Sequence, residues 1–198
     1  MRTRLTSLAI IAACAIAPLT LRAAEHDQAA MGKAMAQMST VGPEHAALKQ
    51  AVGEWDVDSS MFMDPAAPPM KSKGKATFTA ILEGKWVKQE YQGEMMGKAF
   101  AGVGINGYDT VAKRYVGSWY DSFSTALSNL TGESKDGGKT ITFLSHLEHC
   151  PMTGGPLDQR MVLTHESADK MTFVAFHTPK GGAEMKSMEL VYTRAKTK

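Results

Sequence analysis

The densest run of potential soft-metal ligands in the chain is His146-Leu147-Glu148-His149-Cys150-Pro151-Met152. Imidazole, thiolate and thioether together suit Cu(I), and imidazole with thiolate suits Zn(II). In a strand, however, His146 and Glu148 share one face while His149 points to the other. A turn beginning near His149 is what would gather His149, Cys150 and Met152 on one ion. The plainer reading is a strand end with exposed histidines. A second constellation is Tyr115, Trp119 and Asp121, which fall on one strand face, with Ser122 and Ser124 following. A carboxylate among aromatic rings orients a ligand when that face lines a cavity. The alternative is a carboxylate satisfied by turn amides. Glu90 and Arg160 are the next polar candidates for a cavity wall, and alternation alone leaves their facing open. No nucleophile elbow, no His-Glu-x-x-His and no Cys–His pair with an orienting third residue occurs in the sequence. The reading therefore leans away from an enzyme; an acid–base reading would rest on Asp121 or Glu90.

These residues sit in a chain of 198 residues with 22 Lys+Arg, 20 Asp+Glu, 43% hydrophobic residues and two cysteines. That is enough apolar material for one packed domain, and too little cysteine for a disulfide-dense scaffold or a four-cysteine zinc module. The formal charge of +2 gives no electrostatic case for nucleic acid as a partner. Residues 1–23 read as a cleaved export signal: Arg2 and Arg4, an apolar run from Leu5 to Leu21, then Arg22-Ala23-Ala24. Cleavage after Ala23 removes three arginines and no acid, which leaves 19 basic against 20 acidic residues. The expected location is secreted or periplasmic. The alternative is a lipoprotein, since Ile11-Ala12-Ala13-Cys14 resembles a lipobox, and only lipidation of Cys14 would tie the chain to a membrane. With Cys14 gone, Cys150 is the one thiol of the mature chain, and a small buried hydrophobe is its simplest role.

Residues 24–43 form an Ala- and Met-rich leader. Met31, Met35 and Met38 have helical spacing, but Gly32 and the closing Ser39-Thr40-Val41-Gly42-Pro43 point to a flexible tether. Pro43 to Gly53 reads as a short helix with Ala47, Leu48 and Val52 on one face. From Trp55 onward the period is two. Strands are expected at Trp55–Met61, Lys73–Leu82, Lys85–Gly93, Lys98–Tyr108, Lys113–Asp121, Thr125–Ser134, Lys139–Leu147, Leu157–Glu166, Lys170–Thr178 and Glu184–Arg194. Tight Gly- and Pro-containing turns separate them, and nothing between them is long enough for a crossover helix, so the pairing is antiparallel. About ten such strands after one short helix predict an all-β fold, an up-and-down barrel over residues 44–195 that leaves no free edge. A two-sheet sandwich is the alternative. Gly102 and Gly104 fit barrel bending or close strand approach, since no helix follows them to make a phosphate cradle.

Gly53-Glu54-Trp55 after the short helix resembles the Gly-x-Trp start of the calycin superfamily, which includes the lipocalins. Leu190-Val191-Tyr192-Thr193-Arg194 supplies the last-strand arginine that packs on that tryptophan in those barrels. More closely, the chain resembles the bacterial domain-of-unknown-function family DUF1579. The likeness lies in Gly53-Glu54-Trp55, Leu82-Glu83-Gly84-Lys85-Trp86, Gly102 to Asp109, Tyr115 to Ser122, Pro151-Met152-Thr153-Gly154 and Met188 to Arg194, and spans about residues 44–195. In this family an acidic residue precedes the Pro-x-Thr-Gly turn, where Cys150 stands in this sequence. The resemblance implies a calycin-like barrel with Gly53, Trp55 and Arg194 as its structural signature, and no established activity. Some related ten-stranded barrels hold haem through a histidine at one mouth, which makes His177 the weak candidate for that role. No cofactor is expected, with haem and copper as the minor alternatives. The expected function is non-catalytic binding of a small, partly apolar ligand by Tyr115, Trp119, Asp121, Glu90 and Arg160, in a barrel with one open mouth. The competing expectation is a cell-envelope interaction module with a filled barrel. The sequence says nothing of oligomeric state.

Overall fold

The computed structural model describes residues 19–64, 66–150 and 153–196, with side chains from residue 28 onward. The expectations resting on residues 1–18, Cys14 included, and on Met152 lie outside the described residues. A first helix, α1, covers Leu19–Ser39. The tether expected over residues 24–43 is thus helical as far as Ser39. Ala, Met and Gln are good helix formers, and the single Gly32 opposes them by only about 1 kcal/mol. Met31, Met35 and Met38 are all exposed.

A second helix, α2 (Pro43–Lys49), starts with Pro at its first position and Glu44 in its first turn. The Gly42 amide donates to Nδ1 of the buried His45 at 3.1 Å. Ten strands follow: β1 (Gly53–Met61), β2 (Met70–Ile81), β3 (Trp86–Met95), β4 (Lys98–Asp109), β5 (Arg114–Asp121), β6 (Ser128–Glu133), β7 (Thr140–Cys150), β8 (Gly155–Ser167), β9 (Lys170–Pro179) and β10 (Met185–Arg194). Each pairs antiparallel with its neighbours in sequence, and β1 also pairs with β10, which closes the barrel. The expected up-and-down barrel with a short preceding helix is the observed architecture.

The β1–β10 register sets Trp55 opposite Arg194. The Arg194 guanidinium lies 4.2 Å from the centre of the Trp55 ring. Its Nη1 donates to the Val52 carbonyl at 3.0 Å, its Nη2 to Gln50 at 3.3 Å and its Nε to Ala168 at 2.9 Å. The Trp55 indole N–H donates to the Ala51 carbonyl at 2.7 Å. One guanidinium therefore ties the end of α2, the start of β1 and the β8–β9 turn together. Gly53 is needed there: its φ is +128°, and a Cβ would stand 2.6 Å from Arg194 Nη1. Leu48 and Ala51 join Trp55, Val57, Ala76, Val87, Tyr115, Ile141, Phe143 and Met171 in one buried cluster that fills this end. At the other end, where β1 finishes and β2 starts, the described residues of the link between these strands form no helix.

Candidate ligand-binding cavity

Strand alternation sends Trp55 and Val57, Ala76 and Phe78, Val87 and Tyr91, Ile141 and Phe143, and Met171 and Ala175 into the interior. Toward the open end the same faces carry Ser59, Met61, Ser72 and Met188. A cavity of about 420 Å³ results. Its wall is mostly apolar, with Phe78, Tyr91, Phe100, Trp119, Leu130, Phe143, Leu163, Phe173 and Leu190 in the body. Met61, Met70, Met95 and Met96 line it near the mouth. Met61 is the direct cross-strand partner of both Met70 and Met188.

Of the residues singled out in sequence, Trp119 and Asp121 line the cavity. The Trp119 indole N–H donates to Asp121 Oδ2 at 3.0 Å, and the Phe123 amide donates to Oδ1 at 2.9 Å. Asp121 thus has both oxygens engaged by its own strand and turn. The Trp119 ring lies over Gly102 and Gly104 of β4, so a Cβ at Gly102 would fall on the indole. Close approach of a side chain is the reason for these glycines.

Tyr115 shares the strand face but lies at the other end. It is buried edge-on against Tyr108, at 5.1 Å between centroids, and Phe143, at 6.4 Å. Burial pushes its hydroxyl up to about 12, so it is a core phenol outside the cavity lining. Glu90 and Arg160 face away from the interior. Glu90 pairs with Lys88 at 2.9 Å on the outer surface. Arg160 forms a two-pronged pair with Glu184, at 2.8 and 2.7 Å, and stacks 4.0 Å from the Phe176 ring. In β3 and β8 the buried apolar residues, Val87, Tyr91, Leu157 and Met161, take odd numbers, which puts both charges outside.

His149 is exposed and Cys150 is buried at the end of β7. Among the described residues no three His, Cys, Asp or Glu side chains form a group suited to a metal ion. His177 does line the cavity, and its Nε2 lies 3.1 Å from Gln159 Nε2. That nitrogen, the one an axial haem ligand would offer, is occupied by the amide. Burial lowers the His177 pKa and favours the neutral ring.

The polar lining missed by sequence reasoning includes Gln89, Asn106 and Gln159 in the body, serines such as Ser59, Ser118 and Ser128, and Lys71 and Glu94 near the mouth. The Gln89 amide donates to the Tyr192 hydroxyl at 3.3 Å. The signal for Gln89 and Gln159 was their parity with Val87 and Tyr91, and with Leu157, Met161 and Leu163.

The solved structure of Rv2717c from M. tuberculosis superposes on 79% of this chain and 100% of its own, at 14% identity and a TM-score of 0.53. A redesigned β-barrel, b11L5F_LGL, covers 76% of this chain and 96% of its own, at 14% identity and a TM-score of 0.40. Among curated proteins none matches the sequence. The family model described as "Protein of unknown function (DUF1579)" matches residues 40–194, which takes in α2 and all ten strands. The chain belongs to that DUF1579 family.

Proposed function

We propose that this chain is an exported barrel that binds a small, partly apolar molecule inside the barrel without chemically changing it. The observation that carries this reading is the cavity of about 420 Å³, apolar in its body and open at the mouth opposite α2. Its volume lies in the ~300–1,000 Å³ range of small-molecule sites, which are mostly apolar with a few placed polar groups. Gln89, Asn106, Asp121, Gln159 and His177 are those groups. Acid–base chemistry by Asp121 or Glu90 gains no support, because Asp121 is engaged by Trp119 and Phe123 and Glu90 faces outward.

Titration with N-phenyl-1-naphthylamine, a neutral apolar fluorophore, tests the binding. The expected result is a saturable, blue-shifted signal at one equivalent; a rise without saturation would overturn it. Export rests on the sequence of residues 1–23. Fractionated host cells should hold the processed chain outside the cytoplasm, and intact chain in the cytoplasm would refute export. Labelled palmitate on the protein would assign it to the lipoprotein class through Cys14.

A second reading, an envelope interaction module, draws on the exposed apolar side chains around the mouth: Met63, Met70, Met96, Phe123, Leu127 and Met185. In that case Met63→Lys with Met185→Lys, at exposed positions outside the cavity lining, would abolish partner capture from an envelope extract and leave naphthylamine binding intact.

A further inference from the structure

The barrel wall is least complete between β6 and β7. These strands pair only at Thr131 with Leu144, Gly132 with Phe143 and Glu133 with Thr142. Toward the mouth, the ladder across this seam stops at Thr131 and Leu144. Continued two residues further, the same register would set Asn129 against His146. At this place lies a slot whose lining mixes the two faces of the sheet. Asn129, Thr131, Leu144, His146 and Asp158 come from the outer face, and Ser145 and Gln159 come from the inner one. Both faces meet in one space only where the strands part. Gln159 lines the slot and the main cavity alike, so the two are adjoining spaces.

Ser145 is the informative residue. It is 8% exposed, and its Oγ has no hydrogen-bond partner among the described residues. A buried hydroxyl left unpaired costs about 1–3 kcal/mol, and apolar residues of similar size are common in barrel walls. Of the other polar groups lining the cavity, Gln159 is engaged with His177, Gln89 with Tyr192, Asp121 with Trp119 and Ser72 with the Glu94 carbonyl, while Lys71 and Glu94 lie at the mouth. Asn106 Oδ1 also lacks a partner, but it is boxed against Gly117 on the β4–β5 wall. The slot's outer rim carries Asp158, with Glu148 nearby, and both are drawn to His146, at 2.6 and 3.8 Å. His146 is thereby engaged, and two carboxylates repel an anionic head group.

We propose that the β6–β7 slot is the head-group site of the barrel's ligand, with Ser145 Oγ as its hydrogen-bonding partner, and that the ligand is a neutral amphiphile with a hydroxyl or carboxamide head on an apolar body. This rests on the reading of the cavity as a binding site. The body fills the apolar cavity, and the head turns through the wall beside Gln159. The hydroxyl of Ser145 both donates and accepts, which suits an alcohol or an amide and gives no preference for charge.

The test uses the full chain loaded with N-phenyl-1-naphthylamine and displaced by 1-decanol, decanoate or decylammonium. Decanol should displace the probe at the lowest concentration. Ser145→Ala should weaken decanol about 5- to 10-fold, the size of one neutral hydrogen bond, and leave affinity for the headless naphthylamine unchanged. The same variant should unfold at equal or higher urea, since it deletes an unpaired buried hydroxyl. Ser145→Thr, which keeps the hydroxyl, should restore decanol binding. Equal decanol displacement in wild type and Ser145→Ala would overturn the slot assignment while naphthylamine binding stands. Preference for decanoate or decylammonium would overturn the neutral head group. If naphthylamine itself does not bind, the cavity reading falls and this inference falls with it.

Discussion

Arg194 shows how one side chain can close a barrel. Its three carbonyl acceptors, on Gln50, Val52 and Ala168, belong to segments far apart in sequence. Its flat face covers Trp55. Arg194→Ala would strand those carbonyls and uncover the indole, and should lower unfolding free energy by about 2–4 kcal/mol in urea. Arg194→Lys should recover little, because an ammonium has neither the fork nor the planar face. At the same scale Glu90→Gln and Arg160→Ala should leave naphthylamine affinity within twofold of wild type, since both side chains lie outside the barrel. Alternation leaves the facing of these two residues open, because Trp86 and Val162 are apolar at even positions of the same strands, and burial decides it. Leu157, Met161 and Leu163 mark the odd positions of β8 as inward, which puts Arg160 out and Gln159 in. What the sequence hides is which inward polar atom is unused. Asp121 looks available in sequence and is occupied by Trp119, whereas Ser145 looks unremarkable and its hydroxyl has no hydrogen-bond partner among the described residues. That distinction depends on partners set by tertiary packing.

At the scale of elements, the ten strands, their order and their antiparallel pairing could be read directly, because alternation and tight turns are local properties. The ends of β6 and β7 could not. The segment expected to start β6 at Thr125 is bent instead into turns, where the Phe123 amide donates to Asp121 and the Ala126 amide to Ser124 Oγ. β6 therefore begins at Ser128, while β7 runs on to Cys150 through an irregularity between Leu147 and Cys150. The mismatch of a shortened strand beside a lengthened one is what leaves the slot. Packing between β4 and β5 makes a further prediction. Gly102 and Gly104 give the Trp119 indole a flat floor. Gly102→Ala should displace the ring, cost about 1–3 kcal/mol of stability as overpacking does, and shift tryptophan emission to the red. Gly104→Ala, whose Cβ would stand 3.1 Å from the indole, should be milder. Equal emission spectra for Gly102→Ala and wild type would show that the ring has another resting place.

For the whole molecule, three histidines are held neutral by the fold: burial lowers the pKa of His45, His165 and His177 below the ordinary 6.5. Four tyrosines are held neutral at the other extreme, with Tyr115 pushed up to about 12 and Tyr91, Tyr108 and Tyr192 also raised by burial. The unfolded chain titrates these groups near 6.5 and about 10. Below pH 6.5 the unfolded state therefore binds more protons than the folded one, and stability falls as pH drops toward the folded histidine values. Above about pH 10 the unfolded state releases tyrosine protons first, and stability falls again. A flat optimum between those limits is expected. The exposed carboxylates Asp109, Asp136, Glu166 and Glu184, lowered by hydrogen bonds, add a separate loss only below about pH 4.5. His165 is the residue on which to test this, because it is 5% exposed and its Nε2 has no partner among the described residues. Protonation there would place a charge in the closed end of the barrel with nothing to receive its proton. His165→Leu removes that proton site. In urea melts it should gain stability over wild type at pH 5 relative to the difference at pH 8. Parallel pH profiles for the two proteins would move the acid sensitivity to His45 and His177.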